Sequence, residues 1–230
     1  MTHFGWRARG LHLEIPIGRA RISLSELASI SMELSQHLTD RAVASAGEGG
    51  RKISCAKGCG ACCRQAVPIS PPEAWMLFDL VNRLAPDRQA AILRRFAAAK
   101  EILRLEGLEE APLLSLADRY FRLGIACPFL EDESCGIYAE RPAVCREYNV
   151  CSPAYMCADP QSHSIEFLPF DARMSECLAK LAGELMGWGH IMIPLVRALD
   201  WAEMHAADGK RQWDACYLLE SLQSIVKASV

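Results

Sequence analysis

The chain has 230 residues, a net charge of −3 at pH 7 and a hydrophobic fraction of 51%. A chain of this length can bury a large core, and we predict a single domain over residues 1–230. The weak acidity argues against a nucleic-acid or acidic-membrane partner. The longest charge-free apolar run, Leu185 to Val196, is too short to span a bilayer, and Met1 to Gly10 has no apolar signal segment. We therefore expect a cytoplasmic protein with no membrane partner; its oligomeric state is left open.

Helical periodicity is clearest before and after the cysteine-rich middle of the chain. We predict flanking helices over residues 20–46 and 172–228. Ser23 and Glu26 have capping-box spacing, and leucine or isoleucine then recurs every three or four residues. The C-terminal part is divided into helices near residues 173–187, 191–206 and 212–228. Before the first helix, alternating apolar residues over 11–17 indicate either a short edge strand or an extended arm.

Three more helices are predicted after residue 70. Ser70-Pro71-Pro72-Glu73 supplies a cap, prolines for the first turn and a capping-box glutamate. After Pro86 a long helix should run to about Glu106, and a shorter one should occupy roughly Leu113 to Leu123. The fold class is therefore mainly α.

The middle of the chain has a different character. Cys127 to Tyr138 resembles a small β-hairpin with an acidic turn at Asp132 and Glu133. Arg141-Pro142 then opens a short helical turn that carries Cys145, and residues 151–170 are loop-like. We predict a helical domain around a loop-rich cysteine-cluster metal centre, with residues 50–157 as the metal-binding core.

Cysteine usage is the strongest chemical signal, because nine of the 11 cysteines fall between residues 55 and 157. Without a secretory signal, this density indicates metal binding or thiol chemistry rather than structural disulfides. The other two, Cys177 and Cys216, lie in helical patterns and are expected to pack as small hydrophobic residues.

Four of the cysteines, Cys55, Cys59, Cys62 and Cys63, lie within nine residues. Two glycines and two alanines between them leave the backbone free to turn several sulfurs toward one centre. Nearby lysines and arginines would lower the thiol pKa values and offset the charge of thiolates. The second half of the site is predicted downstream. The full set of candidate metal ligands is Cys55, Cys59, Cys62, Cys63, Cys127, Cys135, Cys145 and Cys151.

The spacing of the cysteines does not decide which metal is bound. Structural zinc sites usually combine two Cys-x2-4-Cys knuckles, and only the first half has one. Iron–sulfur clusters often take three thiolates from a tight loop and one from a distance, so a 4Fe-4S cluster is favoured and zinc is the alternative. Eight thiols could also supply two sites, and the role of Cys157 is left open.

Other thiol chemistry fits less well. Cys-x3-Cys-x2-Cys occurs in radical S-adenosylmethionine enzymes, but the position before the third cysteine is Ala61 rather than aromatic, and the chain is not a β/α barrel. Cys59-x2-Cys62 has redox spacing but no thioredoxin-like βαβ context.

The ordered motifs resemble a known family. Cys55-x3-Cys59-x2-Cys62-Cys63, Cys127-Pro128-Phe129-Leu130, Cys135-x-Ile137-Tyr138 and Arg141-Pro142-x2-Cys145-Arg146 are similar to the YkgJ-type cysteine-cluster family, described as a zinc- or iron-chelating domain. The resemblance covers about residues 50–155. It implies ligand roles for the seven cysteines from Cys55 to Cys145, with Cys151 a looser match.

One branch of that family resembles flagellin lysine N-methylases, which combine an iron–sulfur cluster with S-adenosylmethionine. The resemblance therefore implies an alternative function, N-methyl transfer to a small-molecule or lysine-type amine substrate. No glycine-rich loop follows a predicted strand to hold that cofactor in the usual way.

Several other polar residues have both a functional and a simpler structural interpretation. Arg141 and Arg146 could bind a carboxylate or donate hydrogen bonds to sulfur, or could fix the loop by pairing with Glu140 or Glu147. His190 and His205 are expected to be satisfied side chains rather than ligands.

Overall fold

The structure, a computed structural model, describes residues 2–229, with the side chain of Asp118 left out. The longest described helix, α1, spans Leu24–Glu48 and begins where the capping box predicts it. The Ser23 hydroxyl accepts a hydrogen bond from the Glu26 amide (3.2 Å), and the Glu26 carboxylate accepts one from the Ser23 amide (2.8 Å). These two bonds satisfy amide groups that the helix itself leaves unpaired.

Within residues 2–229 the chain is mainly α, as predicted, with 55% of residues helical. The remaining α-helices are α2 (Pro71–Asn82), α3 (Pro86–Leu105), α4 (Leu113–Tyr120), α5 (Ala143–Glu147), α6 (Met174–Met186), α7 (Ala198–Met204), α8 (Ala206–Gly209) and α9 (Ala215–Ala228). Short 3-10 helices occupy Ala61–Arg64, Phe121–Leu123, Tyr138–Glu140, Ala154–Ala158 and Leu195–Arg197. None of the described helices is long and apolar enough to cross a membrane.

The strands are short and pair two by two, all antiparallel. They are β1 (Thr2–Ala8) with β2 (Leu11–Ile17), β3 (Arg21–Ile22) with β8 (Trp213–Asp214), β4 (Pro68–Ile69) with β7 (Ile193–Pro194), and β5 (Leu130–Glu131) with β6 (Ser134–Cys135). The last pair is the predicted hairpin. Its turn residues Asp132 and Glu133 have φ of 47° and 58°, the left-handed conformations of a tight hairpin turn.

The N-terminal region is a complete hairpin, where we expected only one strand or an arm over residues 11–17. Its turn is formed by Arg9 and Gly10, both with positive φ. The signal was present in the sequence, because Phe4, Trp6 and Ala8 continue the same period of two on the preceding strand.

The predicted helix over residues 191–206 is wrong at its start. Ile193–Pro194 is a strand that pairs with β4, a 3-10 turn follows, and the helix α7 begins only at Ala198. Pro194 has no amide hydrogen to donate and its ring blocks a helix that would pass through it. The amide of Leu195 instead donates to the carbonyl of Val67 (2.8 Å).

The core lies between the long helices. Helix α1 packs against α2, α2 against α7, and α6 against α9, while β1 lies against α9. Leu27, Leu77, Leu178 and Leu218, one from each of four helices, are completely buried. Burial of a leucine side chain contributes about 1.5–3 kcal/mol. We call α1, α2, α6, α7 and α9 the helical frame; α5 packs against α1 and α6 of this frame.

Candidate metal centre

The first cysteine segment is an irregular loop held by backbone hydrogen bonds. The amide of Ser54 donates to the carbonyl of Val150 (2.9 Å), and the amide of Cys59 closes a turn onto Ala56 (3.1 Å). Gly58, inside that turn, has a φ of +92°, a conformation that favours glycine. The loop then tightens into the 3-10 helix Ala61–Arg64, which carries two of the thiols.

This loop is docked on the hairpin β5–β6. A Cβ atom at Gly60 would lie 2.8 Å from the Glu133 carbonyl oxygen and 2.9 Å from Leu130 Cδ1, so only glycine allows this approach. The amide of Cys127 donates to the carbonyl of Cys63 (2.7 Å). The two cysteine segments are therefore in direct contact, although more than 60 residues separate them in the sequence.

The position of Cys145 is set by a buried carboxylate on the helical frame. Glu73 lies in the first turn of α2 and is fully buried. Its Oε2 accepts hydrogen bonds from the amide (2.8 Å) and hydroxyl (2.7 Å) of Ser70, and its Oε1 accepts one from the amide of Ala143 (2.7 Å). One carboxylate thus joins the N-terminus of α2 to that of α5. Burial raises the pKa of Glu73 above its ordinary value.

The other end of α5 is held by Glu147 and Arg146. Glu147 accepts hydrogen bonds from the amide (3.2 Å) and hydroxyl (2.6 Å) of Ser175 at the start of α6, and burial raises its pKa to about 7. Arg146 donates to the carbonyl of Arg141 (3.1 Å) and to Gln36 on α1 (2.9 Å). Arg146 therefore fixes the loop, which was one of the roles predicted for it. It does so by donating to carbonyl and amide oxygens and not by pairing with Glu140 or Glu147.

A small cavity of about 80 Å³ lies beside the loop. Its cysteine lining is Cys55, Cys59, Cys62, Cys145 and Cys157, joined by Tyr138, Arg141, Tyr148 and Asn149. Cys157 is buried on the 3-10 helix Ala154–Ala158, which packs against Ala61–Arg64. Cys151, in contrast, does not line the cavity; its backbone amide donates to the carbonyl of Glu166 (2.8 Å).

A second set of thiols meets where the loop contacts the hairpin and α5. The thiol of Cys145 interacts electrostatically with those of Cys127, Cys63 and Cys135. Burial raises the pKa of Cys145 well above its ordinary value and that of Cys127 to about 12. Burial likewise raises the pKa values of Cys55, Cys135 and Cys157. These groups are therefore held as neutral thiols at neutral pH.

The adjacent pair Cys62 and Cys63 behaves differently. Their thiols form a hydrogen bond, which raises the pKa of Cys62 and lowers that of Cys63. Positive charge from Arg64 and Arg141 further lowers the pKa of Cys63. Cys63 is therefore the thiol of this region most easily converted to the thiolate, the form that binds metal.

Arg141 lies between the two sets of thiols. Its guanidinium stacks on the ring of Tyr138, with Cζ 4.0 Å from the ring centroid. Its Nε is buried without a hydrogen-bond partner, and no carboxylate of the described residues forms an ion pair with it. Its charge lowers the pKa values of thiols in both sets, including Cys55 and Cys145.

The donor set fits a thiophilic metal chemically. All eleven cysteines, each within the described residues, are free thiols, and thiolates suit zinc and iron–sulfur clusters. In residues 2–229, however, no group of three or more His, Cys, Asp or Glu side chains is arranged to hold a metal ion as it stands. The eight predicted ligands stay a prediction.

The remaining candidates lie elsewhere. His190 pairs with Glu176 (2.7 Å), and His205 stacks on Trp201 with ring centroids 4.1 Å apart. Cys177 is buried, as expected for a packing residue. The same expectation is wrong for Cys216, which is exposed because it lies on the outer face of α9.

Cys157 is the residue that sequence reasoning did not assign. Its spacing from Cys151 matches no Cys-x2-4-Cys knuckle, so spacing alone assigns it no role. A usable signal was its neighbourhood: Pro153 can begin a helical turn, and Cys157 falls four residues later.

The comparison with protein families matches residues 54–167 to the CxxCxxCC family, described as "Putative zinc- or iron-chelating domain". This chain has three residues rather than two between its first two cysteines. No curated protein and no solved structure matches the chain. The match covers both cysteine segments and supports metal binding through their thiols. Over residues 54–167, just under half of the chain, this protein is similar to the CxxCxxCC family of cysteine-rich domains.

Proposed function

We propose that this protein binds a thiolate-ligated metal centre through cysteines of residues 55–63 and of the segment after residue 127. The observation that carries the proposal is the docking of the two segments, shown by the hydrogen bond from Cys127 to Cys63 and the close approach at Gly60. Docked loops that each supply thiols are a general way to build a metal site from distant parts of a chain.

An iron–sulfur cluster is our preferred centre, with zinc as the alternative. A tight loop with three spaced thiols suits a cluster, and clusters carry net negative charge that nearby cations offset. Arg141 and Lys57, both over the Tyr138 ring, supply such charge beside the cavity. When bound, the cluster would supply a structural crosslink or a site for electron transfer.

Methyl transfer from S-adenosylmethionine stays a prediction from the family resemblance. The cavity beside the thiols, about 80 Å³, is much smaller than ordinary small-molecule pockets. Such pockets are about 300–1,000 Å³. Cavities of about 340 and 300 Å³ exist elsewhere, but no cysteine lines either of them. The cavity beside the thiols therefore suits an inorganic centre better than a nucleoside.

The test is anaerobic purification followed by iron, zinc and acid-labile sulfide analysis, with a visible absorption spectrum. We expect iron and sulfide in equal amounts, and their loss in the double variant Cys59→Ser/Cys62→Ser. Cys216→Ser is the matched control, because this thiol is exposed on α9 and should leave the metal content unchanged. Stoichiometric zinc without sulfide would replace the iron–sulfur assignment by zinc. Full metal content in the double variant would overturn the whole proposal.

A further inference from the structure

The segment contains more thiols than one centre can use. Nine cysteines lie between residues 55 and 157. A tetrahedral zinc ion takes four protein ligands, and a 4Fe-4S cluster also takes four thiolates. The arrangement of the surplus thiols therefore decides whether they are spare or form a second centre.

The first four thiols surround the small cavity. Cys55, Cys59 and Cys62 come from the loop, and the fourth position on that cavity is reached by Cys157 from the 3-10 helix Ala154–Ala158. The packing of the two 3-10 helices holds this fourth thiol against the loop.

The second four thiols lie on the hairpin side of the same loop. Cys63 is joined to Cys127 by a backbone hydrogen bond of 2.7 Å. Cys135 ends the strand β6 and Cys145 lies on α5, and both thiols interact with that of Cys63. Cys145 also lines the cavity, and its thiol interacts with that of Cys62 as well as with those of the second set. We place it in the second set, which otherwise has only three thiols.

We propose that the chain holds two metal centres side by side, one on Cys55, Cys59, Cys62 and Cys157 and one on Cys63, Cys127, Cys135 and Cys145. This inference rests on the proposed function. It goes further by assigning two centres instead of one and by naming four ligands for each. The adjacent residues Cys62 and Cys63 connect the centres, one thiol to each. Cys151 interacts with Cys55 but does not line the cavity, so we leave it out of both sets.

The position of Arg141 agrees with two centres. Two four-thiolate centres placed next to each other concentrate negative charge, and such charge must be offset in a half-buried region. The guanidinium lies between the sets, has no carboxylate partner among the described residues, and leaves Nε free to donate to sulfur. Its charge acts on Cys55 of the first set and on Cys63, Cys135 and Cys145 of the second.

The experiment counts metal centres per chain in anaerobically purified protein, as zinc ions or as iron divided by four, with sulfide measured in parallel. We expect two centres in the wild type and one in Cys157→Ser, in Cys127→Ser and in Cys55→Ser. We expect two in Cys151→Ser, a candidate ligand that this assignment leaves out, and two in the control Cys216→Ser. The centre that remains in each single variant, together with unchanged helical circular dichroism, shows that the variant is folded.

Three results would overturn the inference. One is a single centre in the wild type, which leaves the proposed function standing. Another is loss of one centre in Cys151→Ser with both retained in Cys157→Ser. The third is loss of both centres from Cys157→Ser and also from Cys157→His, since histidine can replace a thiolate at zinc and should keep two centres. Wild-type protein without any metal would instead overturn the proposed function itself.

Discussion

The helical frame and the thiol region, which we define as residues 54–64 and 127–158, are built in different ways. The frame has long helices whose leucines are completely buried. The helices of the thiol region have at most five residues, and seven of its nine cysteines are only half-buried. Apolar burial stabilises the first without a ligand, whereas a few specific hydrogen bonds place the second. We therefore expect the frame to be stable without a ligand and the thiol region to depend on bound metal for its order.

The largest effect is expected from a cavity in the frame. Leu178 on α6 is completely buried, so Leu178→Ala should lower the free energy of unfolding by about 2–5 kcal/mol. Chemical denaturation followed by circular dichroism measures this loss. Metal content per folded chain should stay at the wild-type value, because the substitution lies outside the thiol region. A proportional loss of metal would break the distinction between the two regions.

The next largest loss of stability is expected where the helical frame and the thiol region join. Glu73→Gln replaces one acceptor oxygen by an amide that cannot accept the hydrogen bonds of Ser70 or Ala143. Leaving a buried donor unpaired should cost about 2–3 kcal/mol and should weaken metal binding as well. Denaturation and metal analysis of the same sample measure both effects.

The cost of Glu73→Gln should also depend on pH. Burial raises the pKa of Glu73, so the folded chain binds this proton more tightly than the unfolded chain does. The stability linked to the proton is fully present below the unfolded pKa, about 4.3, and is lost as pH rises through the folded value. The glutamine variant has no such proton. The stability difference between wild type and variant should therefore be larger at acid pH than at pH 8, and a constant difference would contradict this.

A smaller loss of stability is expected at the contact between loop and hairpin. Gly60→Ala places a methyl group 2.8 Å from the Glu133 carbonyl oxygen, and overpacking of this kind costs about 1–2 kcal/mol. Hydrogen exchange should show lost protection in residues 54–64 and 127–135 while α1 and α9 keep theirs. Gly18→Ala is the matched control, since a Cβ atom there meets no atom within 4 Å.

The smallest effect on folding, but a clear effect on metal, is expected at Arg141. Arg141→Gln removes a charge that has no carboxylate partner among the described residues, so stability should change by no more than about 0.5 kcal/mol. Affinity for zinc, measured by competition with a chelator, should fall about tenfold because the charge of the thiolates is no longer offset. Arg104→Gln on α3, which loses only an exposed pair with Glu101, should leave that affinity unchanged.

Much of the secondary structure was predictable because its signals are local. The capping boxes at Ser23 and Ser70 and the hairpin turn at Asp132 require only neighbouring residues, and each is present in the structure. The prediction of a helix over residues 191–206 was wrong at its start, because Ile193–Pro194 pairs with β4, which is distant in the sequence.

The candidate centre was predictable in composition but not in arrangement. Cysteine density identified the two segments, and the family match covers both. Which thiols face each other depends on contacts such as that of Cys157 with the loop, which join residues almost 100 positions apart. Periodicity and spacing carry no information about contacts of this kind.

Helix α5 is fixed at both ends to helices that contain no predicted ligand, through Glu73 on α2 and through Glu147 to Ser175 on α6. Thermodynamic coupling of this kind is reciprocal. If a metal on Cys145 steadies α5, it steadies the attachments to α2 and α6 by the same free energy, and loosening those attachments weakens the metal equally. The melting temperature of the helices would then report metal occupancy, although no helix of the frame touches the metal.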